Sequence, residues 1–210
     1  MQTAEFEFGG SRPEPLLCSP EQLSQREVDN GFDMVVYANE LAALWHDQYF
    51  FTTQVVCTCN LIAMRGIYES AGHFRRRFVS VGRFTPPHHQ QIGWMVADMC
   101  NHVNGLIADP FQAAAYLMWR LNWIHPFYDG NGRTGRQLSL LALQVGLGAG
   151  AAREIPILGY LIRKHRDTYE AVLRTTDNTG VREDPPNVTP MSDFLVDLYY
   201  EAIDFRFEDQ

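Results

Sequence analysis

Cysteine is scarce in this chain of 210 residues, with four at Cys18, Cys57, Cys59 and Cys100. That number and spacing exclude a disulfide framework. Cys57 and Cys59 have one residue between them, where a tetrahedral zinc site wants at least two. Buried thiols in a reducing compartment are the expectation. Long apolar runs are missing too: none approaches the ~20 residues that span a bilayer. The opening MQTAEFEFGG has no basic stretch followed by an apolar one, so a Sec signal is not expected. Positive charge is also in short supply. Lys and Arg number 17 against 25 Asp and Glu, a net charge of −8. Non-specific binding to nucleic acid needs a basic footprint and is argued against. An acidic surface still permits an anionic small molecule, because one loop and two arginines can dominate the field in a cleft. No internal repeat or domain-splitting linker is visible. An apolar fraction of 46% fits one soluble domain. A cytoplasmic place is expected, with export by a specialised secretion system as the alternative, and with neither membrane nor nucleic acid as partner.

What is present reads mostly as helix. Residues 1–17, with Gly9, Gly10, Pro13 and Pro15 and no periodicity, are expected to be a flexible tail, leaving a single domain over 18–207. Ser19-Pro20 starts a helix, with Gln22 at capping-box spacing. On it Phe32, Val35, Val36, Asn39 and Leu44 share a face. Residues 48–70 give a weaker helical pattern. Ala71 to Phe84 is β-prone around Val79-Ser80-Val81, and Gly82-Arg83 can turn the chain, so a short β-hairpin is expected. Thr85-Pro86-Pro87 reads as a cap and helix start ahead of a stripe of Ile92, Met95, Val96, Met99 and Val103. Asp109-Pro110 opens a helix apolar nearly all round, the expected buried centre. Leu138, Leu141, Ala142 and Val145 face inward from the next helix, which stops near Gly146 and Gly148. After Pro156 come Leu158, Leu161, Tyr169, Val172 and Leu173 as core candidates. Thr176 to Pro190 reads as a loop, and Ser192 as the cap of a last helix. The fold class is therefore all-α, a helical bundle with one hairpin.

Between the central helix and the next lies HPFYDGNGRTGR, His125 to Arg136. The first turn of a helix leaves N–H groups pointing outward, with the positive end of the macrodipole behind them. Glycines let that backbone approach an anion closely, so Gly130, Asn131 and Gly132 form a phosphate cradle. Arg133 and Arg136, three residues apart, share a face of the first turn, and guanidinium forks suit phosphate oxygens. Asp129 can share Mg²⁺ with phosphates. His125, with an ordinary imidazole pKa of about 6.5, can accept a hydroxyl proton. Phe127 is expected to point inward and anchor the loop.

This stretch resembles the signature of the Fic family, H-x-F-x-[D/E]-G-N-G-R-x-x-R, at every fixed position: His125, Phe127, Asp129, Gly130, Asn131, Gly132, Arg133 and Arg136. The resemblance implies a Fic fold and transfer of AMP from ATP to a Ser, Thr or Tyr hydroxyl of a target protein. It makes His125 the base, Asp129 the metal ligand, and Gly130, Asn131, Gly132, Arg133 and Arg136 the nucleotide-binding set, with Mg²⁺ as cofactor and ATP as co-substrate. Ala71 to Arg75, Val79 to Val81 and Thr85 to Pro87 are similar to the family's flap hairpin and the segment after it, where a target peptide docks as an added strand. Arg163 to Leu173 resembles the helix downstream of the signature. Together the similarity covers about residues 70–175.

Other readings stay open. Doc-type relatives carry lysine where this chain has Gly132 and act as kinases, a pattern from which it departs. UMP or phosphocholine transfer, AMP removal, or a non-catalytic Fic-fold regulator are alternatives. Many relatives carry an inhibitory [S/T]-x-x-x-E-[G/N] helix whose Glu pairs with the second signature arginine, here Arg136. Thr179 to Asp184 comes closest but ends in Asp, and Glu69 has Arg65 at the required Ser/Thr position. Either a small antitoxin supplies the glutamate, as in the family's toxin–antitoxin pairs, and is the expected partner, or the protein is regulated otherwise. Arg75-Arg76-Arg77 is either a solvated strand or a substrate contact. Trp119, Trp123 and Phe111 belong to core packing, and His88-His89 lacks further ligands for a metal.

Overall fold

The computed structural model of the chain describes residues 14–46, 48–148, 154–180 and 186–208. The described residues form eight helices: α1 (Pro20–Trp45), α2 (Thr53–Met64), α3 (Ile92–Asn104), α4 (Pro110–Ile124), α5 (Asn131–Leu147), α6 (Glu154–Lys164), α7 (Arg166–Gly180) and α8 (Thr189–Glu208). A 3₁₀ turn, His89–Gln91, leads into α3.

α4 is the centre. Asp109 caps it, its Oδ1 accepting from the Gln112 N–H at 3.1 Å, and Pro110 takes the first position. Every residue from Ala113 to Trp119 is buried, as are Leu121 and Ile124. Three consecutive alanines let neighbouring helices approach closely. α5 packs along α4 most extensively, with α3, α7 and α8 around it, while α1 and α2 close over α5. Leu138, Leu141, Ala142 and Val145 make the inner face of α5. Gly146 is required where α5 crosses the start of α4, since a Cβ there would sit 2.5 Å from the Tyr49 hydroxyl and 2.6 Å from Pro110. Polar ties complete the packing. Tyr49 donates to the Ala142 carbonyl at 2.9 Å, and Trp119 Nε1–H to Asp177 Oδ1 on α7 at 2.9 Å. Burial pushes the Cys59 and Cys100 thiols up to about 12, so they are inert protonated core residues.

Several boundaries differ from the sequence reading. The expected hairpin is one antiparallel bridge, Val81 to Phe84, turned by Gly82 at φ +58. Among the described residues there is no strand. The β-prone run is only three residues long, and the loop before it is gathered inward by Arg75. The prolines after Thr85 keep the backbone extended, so the helix begins later, with His88 Nδ1 accepting from the Gln90 N–H at 3.2 Å. On α1 the apolar face is not the buried one. Phe32 and Leu44 are 70% and 72% exposed, and Val35 and Val36 are exposed too, whereas Asn30, Met34, Ala38 and Trp45 are buried. Asn30 decides this register by donating to the Ala63 and Arg65 carbonyls at 3.2 and 3.0 Å.

α7 continues to Gly180 where a loop was expected from Thr176; within it Thr175 and Thr176 return their hydroxyls to carbonyls one turn back. α8 starts at Thr189 rather than Ser192, with Asn187 Oδ1 accepting from the Thr189 N–H at 3.0 Å. The tail expected over 1–17 lies outside the described residues up to 13. Beyond that point, Leu17 N–H donates to the Ile67 carbonyl at 2.9 Å and Leu16 packs on the end of α2. Among the described residues, no helix is long and apolar enough to cross a membrane.

Candidate active site

The signature occupies the turn from α4 into α5. His125 ends α4 in the left-handed region, φ 50 and ψ 59, and is 6% exposed. Such a conformation costs a residue with a side chain about 1–3 kcal/mol and persists where its surroundings over-determine it. Here they do. Arg75 Nε–H donates to the His125 carbonyl at 2.7 Å, and the Arg75 backbone N–H donates to the Pro126 carbonyl at 2.9 Å. Burial drives the imidazole down to about 4, opposed by a hydrogen bond with the Asn122 backbone and reinforced by the Arg75 charge. The ordinary value expected from sequence is thus corrected: at neutral pH the ring is uncharged, and its burial disfavours the protonated form.

Phe127 points into the core beside Phe74, ring centroids 5.6 Å apart. The Asn131 side chain closes the loop by accepting from the Phe127 N–H and donating to its carbonyl, each at 3.0 Å. Asn131 is therefore buried and serves the cradle through its backbone. Gly130 turns the chain at φ +77, and a Cβ there would sit 2.7 Å from Met64 Sδ and 2.9 Å from Asn60 Nδ2. Thr134 returns its hydroxyl to the Gly130 carbonyl at 2.9 Å. The first intrahelical N–H bond of α5 is also Thr134 to Gly130. That leaves the N–H groups of Asn131, Gly132 and Arg133 at a helix N-terminus whose first turn carries no acidic residue.

The charged groups surround that terminus. Asp129 Oδ1 accepts from the Gly130 N–H and lies 3.7 Å from Arg133 Nη2. Asp129 and Arg133 are 29% and 28% exposed, so both meet solvent. Arg136 is deeper and bonded to the Tyr169 hydroxyl. Burial foremost, with the charges of Arg133 and Arg163, lowers its pKa against the pull of Tyr169. Gly132 leaves room for this arrangement: a Cβ would come within 3.3 Å of Arg136 Nη1.

The predicted residues His125, Asp129, Gly130, Asn131, Gly132, Arg133 and Arg136 are thus brought to one turn. Others were missed. Asn60, buried in α2, donates to the Asp129 carbonyl at 3.0 Å and to Thr134 Oγ1 at 3.3 Å, and accepts from the Gly72 N–H at 2.9 Å. A lone asparagine in the apolar run TQVVCTCNLIAM was the available signal. Asn122 meets the Tyr169 hydroxyl at 3.3 Å, positioning the partner of Arg136. Glu27 on α1 accepts from Arg133 Nη1 at 3.1 Å, a long-range pair with no local signature. Arg75 is 1% exposed, so both readings of the triple arginine fail at its first member. Thr179 and Glu183, the closest inhibitory pattern, fall where side chains lie outside the described residues.

A family model described as Fic/DOC family matches residues 50–143. The chain is 39% identical over 80 residues to the protein adenylyltransferase fic-1 of Caenorhabditis elegans, covering 36% of this chain and 16% of that protein. It is 29% identical over 140 residues to the protein adenylyltransferase Fic of Culex quinquefasciatus, covering 62% of this chain and 25% of that protein. Among solved structures it is similar to a Fic family protein from Desulfovibrio desulfuricans G20, with TM-score 0.70, 21% identity and coverage of 93% of this chain and 56% of that one. Fic-1 (residues 134–508) from C. elegans gives TM-score 0.63 at 20% identity, covering 97% and 57%. The chain spans about a quarter or less of these curated relatives and under three fifths of these structures.

Proposed function

The chain carries a Fic/DOC family domain, and from that premise we propose that it is a protein adenylyltransferase using Mg-ATP to modify a hydroxyl of another protein. The observation that carries the reading is the meeting of an uncharged, buried base with an arginine-lined helix N-terminus: His125 at the end of α4, and Arg133 and Arg136 at the start of α5. A pure phosphate-binding module has no use for the base.

In this reading the N–H groups of Asn131, Gly132 and Arg133 and the two guanidiniums hold the phosphates. His125 takes the proton of the target hydroxyl as its oxygen attacks the α-phosphorus. A new oxygen–phosphorus bond forms, the bond to the β-phosphate bridge breaks, and pyrophosphate leaves. The phosphates' negative charge stabilises the imidazolium that results. Asp129 fits a magnesium ion. Its side chain is 29% exposed beside the cradle, so a bound phosphate and an ion could both reach it. Magnesium suits one carboxylate plus phosphate oxygens, whose developing charge it neutralises.

The target docks on the 71–86 flap, along residues 78–80. Among the described residues no backbone hydrogen bond involves Phe78, Val79 or Ser80, and Phe78 is exposed. An incoming extended peptide supplies the missing strand.

The test uses ATP labelled at the α- or the γ-phosphorus. The proposal expects α-label in protein and none from γ. Label from γ only means a kinase, and nucleotide binding with no transfer means a regulator.

A further inference from the structure

Arg75 is the most enclosed cation of the molecule's site region, and it ties together segments that the chemistry must hold in register. Its Nε–H donates to the His125 carbonyl at 2.7 Å, Nη1 to the Arg77 carbonyl at 3.0 Å, and Nη2 to the carbonyls of Pro87 at 2.6 Å and Ile124 at 3.4 Å. Those acceptors come from the C-terminus of α4, the flap, and the extended segment before α3. A helix C-terminus presents carbonyls with no intrahelical partner and the negative end of the macrodipole. A buried carbonyl left without a donor is costly. One guanidinium answers several at once because its five donors are fixed in a plane.

The neighbouring bonds extend the tie. The Arg75 N–H holds the Pro126 carbonyl, and the Arg76 N–H donates to the Tyr128 hydroxyl at 3.0 Å. The flap is therefore fastened to both ends of the tripeptide Pro126-Phe127-Tyr128 that follows His125. His125 itself stands in a left-handed conformation at φ 50, which no local sequence preference enforces. Its backbone stays there because its carbonyl is gripped from across the turn.

We propose that Arg75 is a positioning residue for the base: by gripping the His125 carbonyl it fixes the imidazole's orientation and couples it to the flap on which a target would lie. This rests on the adenylyltransferase reading for its kinetic consequence but not for its structural one. Arg75 contributes no group to the phosphate cradle, so its removal affects chemistry more than nucleotide binding. The Arg75 charge is also one of the influences that keep the ring uncharged, which gives the proposal a spectroscopic signature.

The test compares the full chain with Arg75→Lys and Arg75→Met. Lysine keeps the charge but cannot bridge all the carbonyls; methionine keeps bulk alone. Three quantities are measured on folded protein: the His125 ring titration by NMR, affinity for ATP, and kcat for transfer. The expected result is ATP affinity within about twofold of wild type and a kcat lower by on the order of 100-fold in Arg75→Met, the scale of a small misplacement of a reacting group. The loss is smaller in Arg75→Lys. The His125 titration midpoint rises in Arg75→Met and its resonances move in both variants. Wild-type His125 resonances and wild-type kcat overturn the proposal. A fall in ATP affinity matching the fall in kcat also overturns it, since that is the mark of general loosening. If Arg75→Met does not fold, Arg75→Lys decides by the same criteria. If wild type transfers no AMP, the adenylyltransferase reading fails and the ring titration alone decides the positioning role.

Discussion

At the scale of single residues the site is a set of conflicts resolved by neighbours. His125 is a titratable group buried where its charged form is disfavoured, held at about 4 in the folded chain against ~6.5 unfolded. Between those values the unfolded chain binds a proton that the folded chain does not. The stability this contributes is complete above about pH 6.5 and is lost as pH falls toward 4, on the order of 3 kcal/mol in all. Denaturant unfolding of wild type and His125→Gln from pH 7 to pH 4.5 checks this: wild type should lose the more stability on acidification. The sign is settled by which protein has the steeper slope. His125→Ala should abolish AMP transfer while leaving ATP binding in place, since the cradle lies on α5. Asp129→Ala should remove the magnesium dependence of ATP binding together with transfer, read by titration with and without a chelator. Retained magnesium dependence places the metal elsewhere.

At the scale of elements the junctions matter more than the helices. Gly130 stands where α2 meets the loop before α5, with positive φ and no room for a Cβ beside Met64 and Asn60. Gly130→Ala should destabilise the fold by about 2–3 kcal/mol, combining backbone strain and overpacking. Thermal unfolding measures it, and an unchanged Tm would mean that the contact relaxes freely. α1 brings Glu27 to Arg133 with both side chains partly exposed, so the pair adds little to stability. It does place a carboxylate where phosphates are expected. Glu27→Ala should leave Tm nearly unchanged and raise ATP affinity about fivefold, the equivalent of about 1 kcal/mol. Weaker binding in that variant would mean that Glu27 instead holds Arg133 in the geometry the nucleotide needs.

Elements also show what a sequence can convey. Caps at Ser19 and Asp109, the buried run of α4 and the inner face of α5 were legible because each is a local pattern with a local cause. The signature was legible because its residues are contiguous and all sit on one turn. Arg75, Asn60, Glu27 and Tyr169 were not, since their roles depend on chain segments tens of residues away. The face of α1 was misread for the same reason. Phe32, Val35 and Val36 form the better apolar stripe, but two hydrogen bonds from Asn30 to the end of α2 choose the opposite register. The hairpin shrank to a single bridge because a buried arginine organises that segment through carbonyls rather than through a ladder.

At the scale of the whole molecule, a bundle built around α4 carries a net charge of −8 yet sets Arg133 and Arg136 at the start of one helix, where Arg136 also feels the Arg163 charge. A polyanionic substrate there would add to the neutralisation that Glu27 and Asp129 already give Arg133. In the proposed reading the base stands at the end of α4 and the phosphate-binding N–H groups at the start of α5, so one turn would set the distance between proton acceptor and phosphate. The most direct test of that claim is the intact mass of proteins from a lysate incubated with ATP and magnesium, with wild type set against His125→Ala. Wild type should add one adenylyl group to at least one protein, and the variant none. A gain of a phosphoryl group, or equal adenylylation by the variant, would contradict that claim.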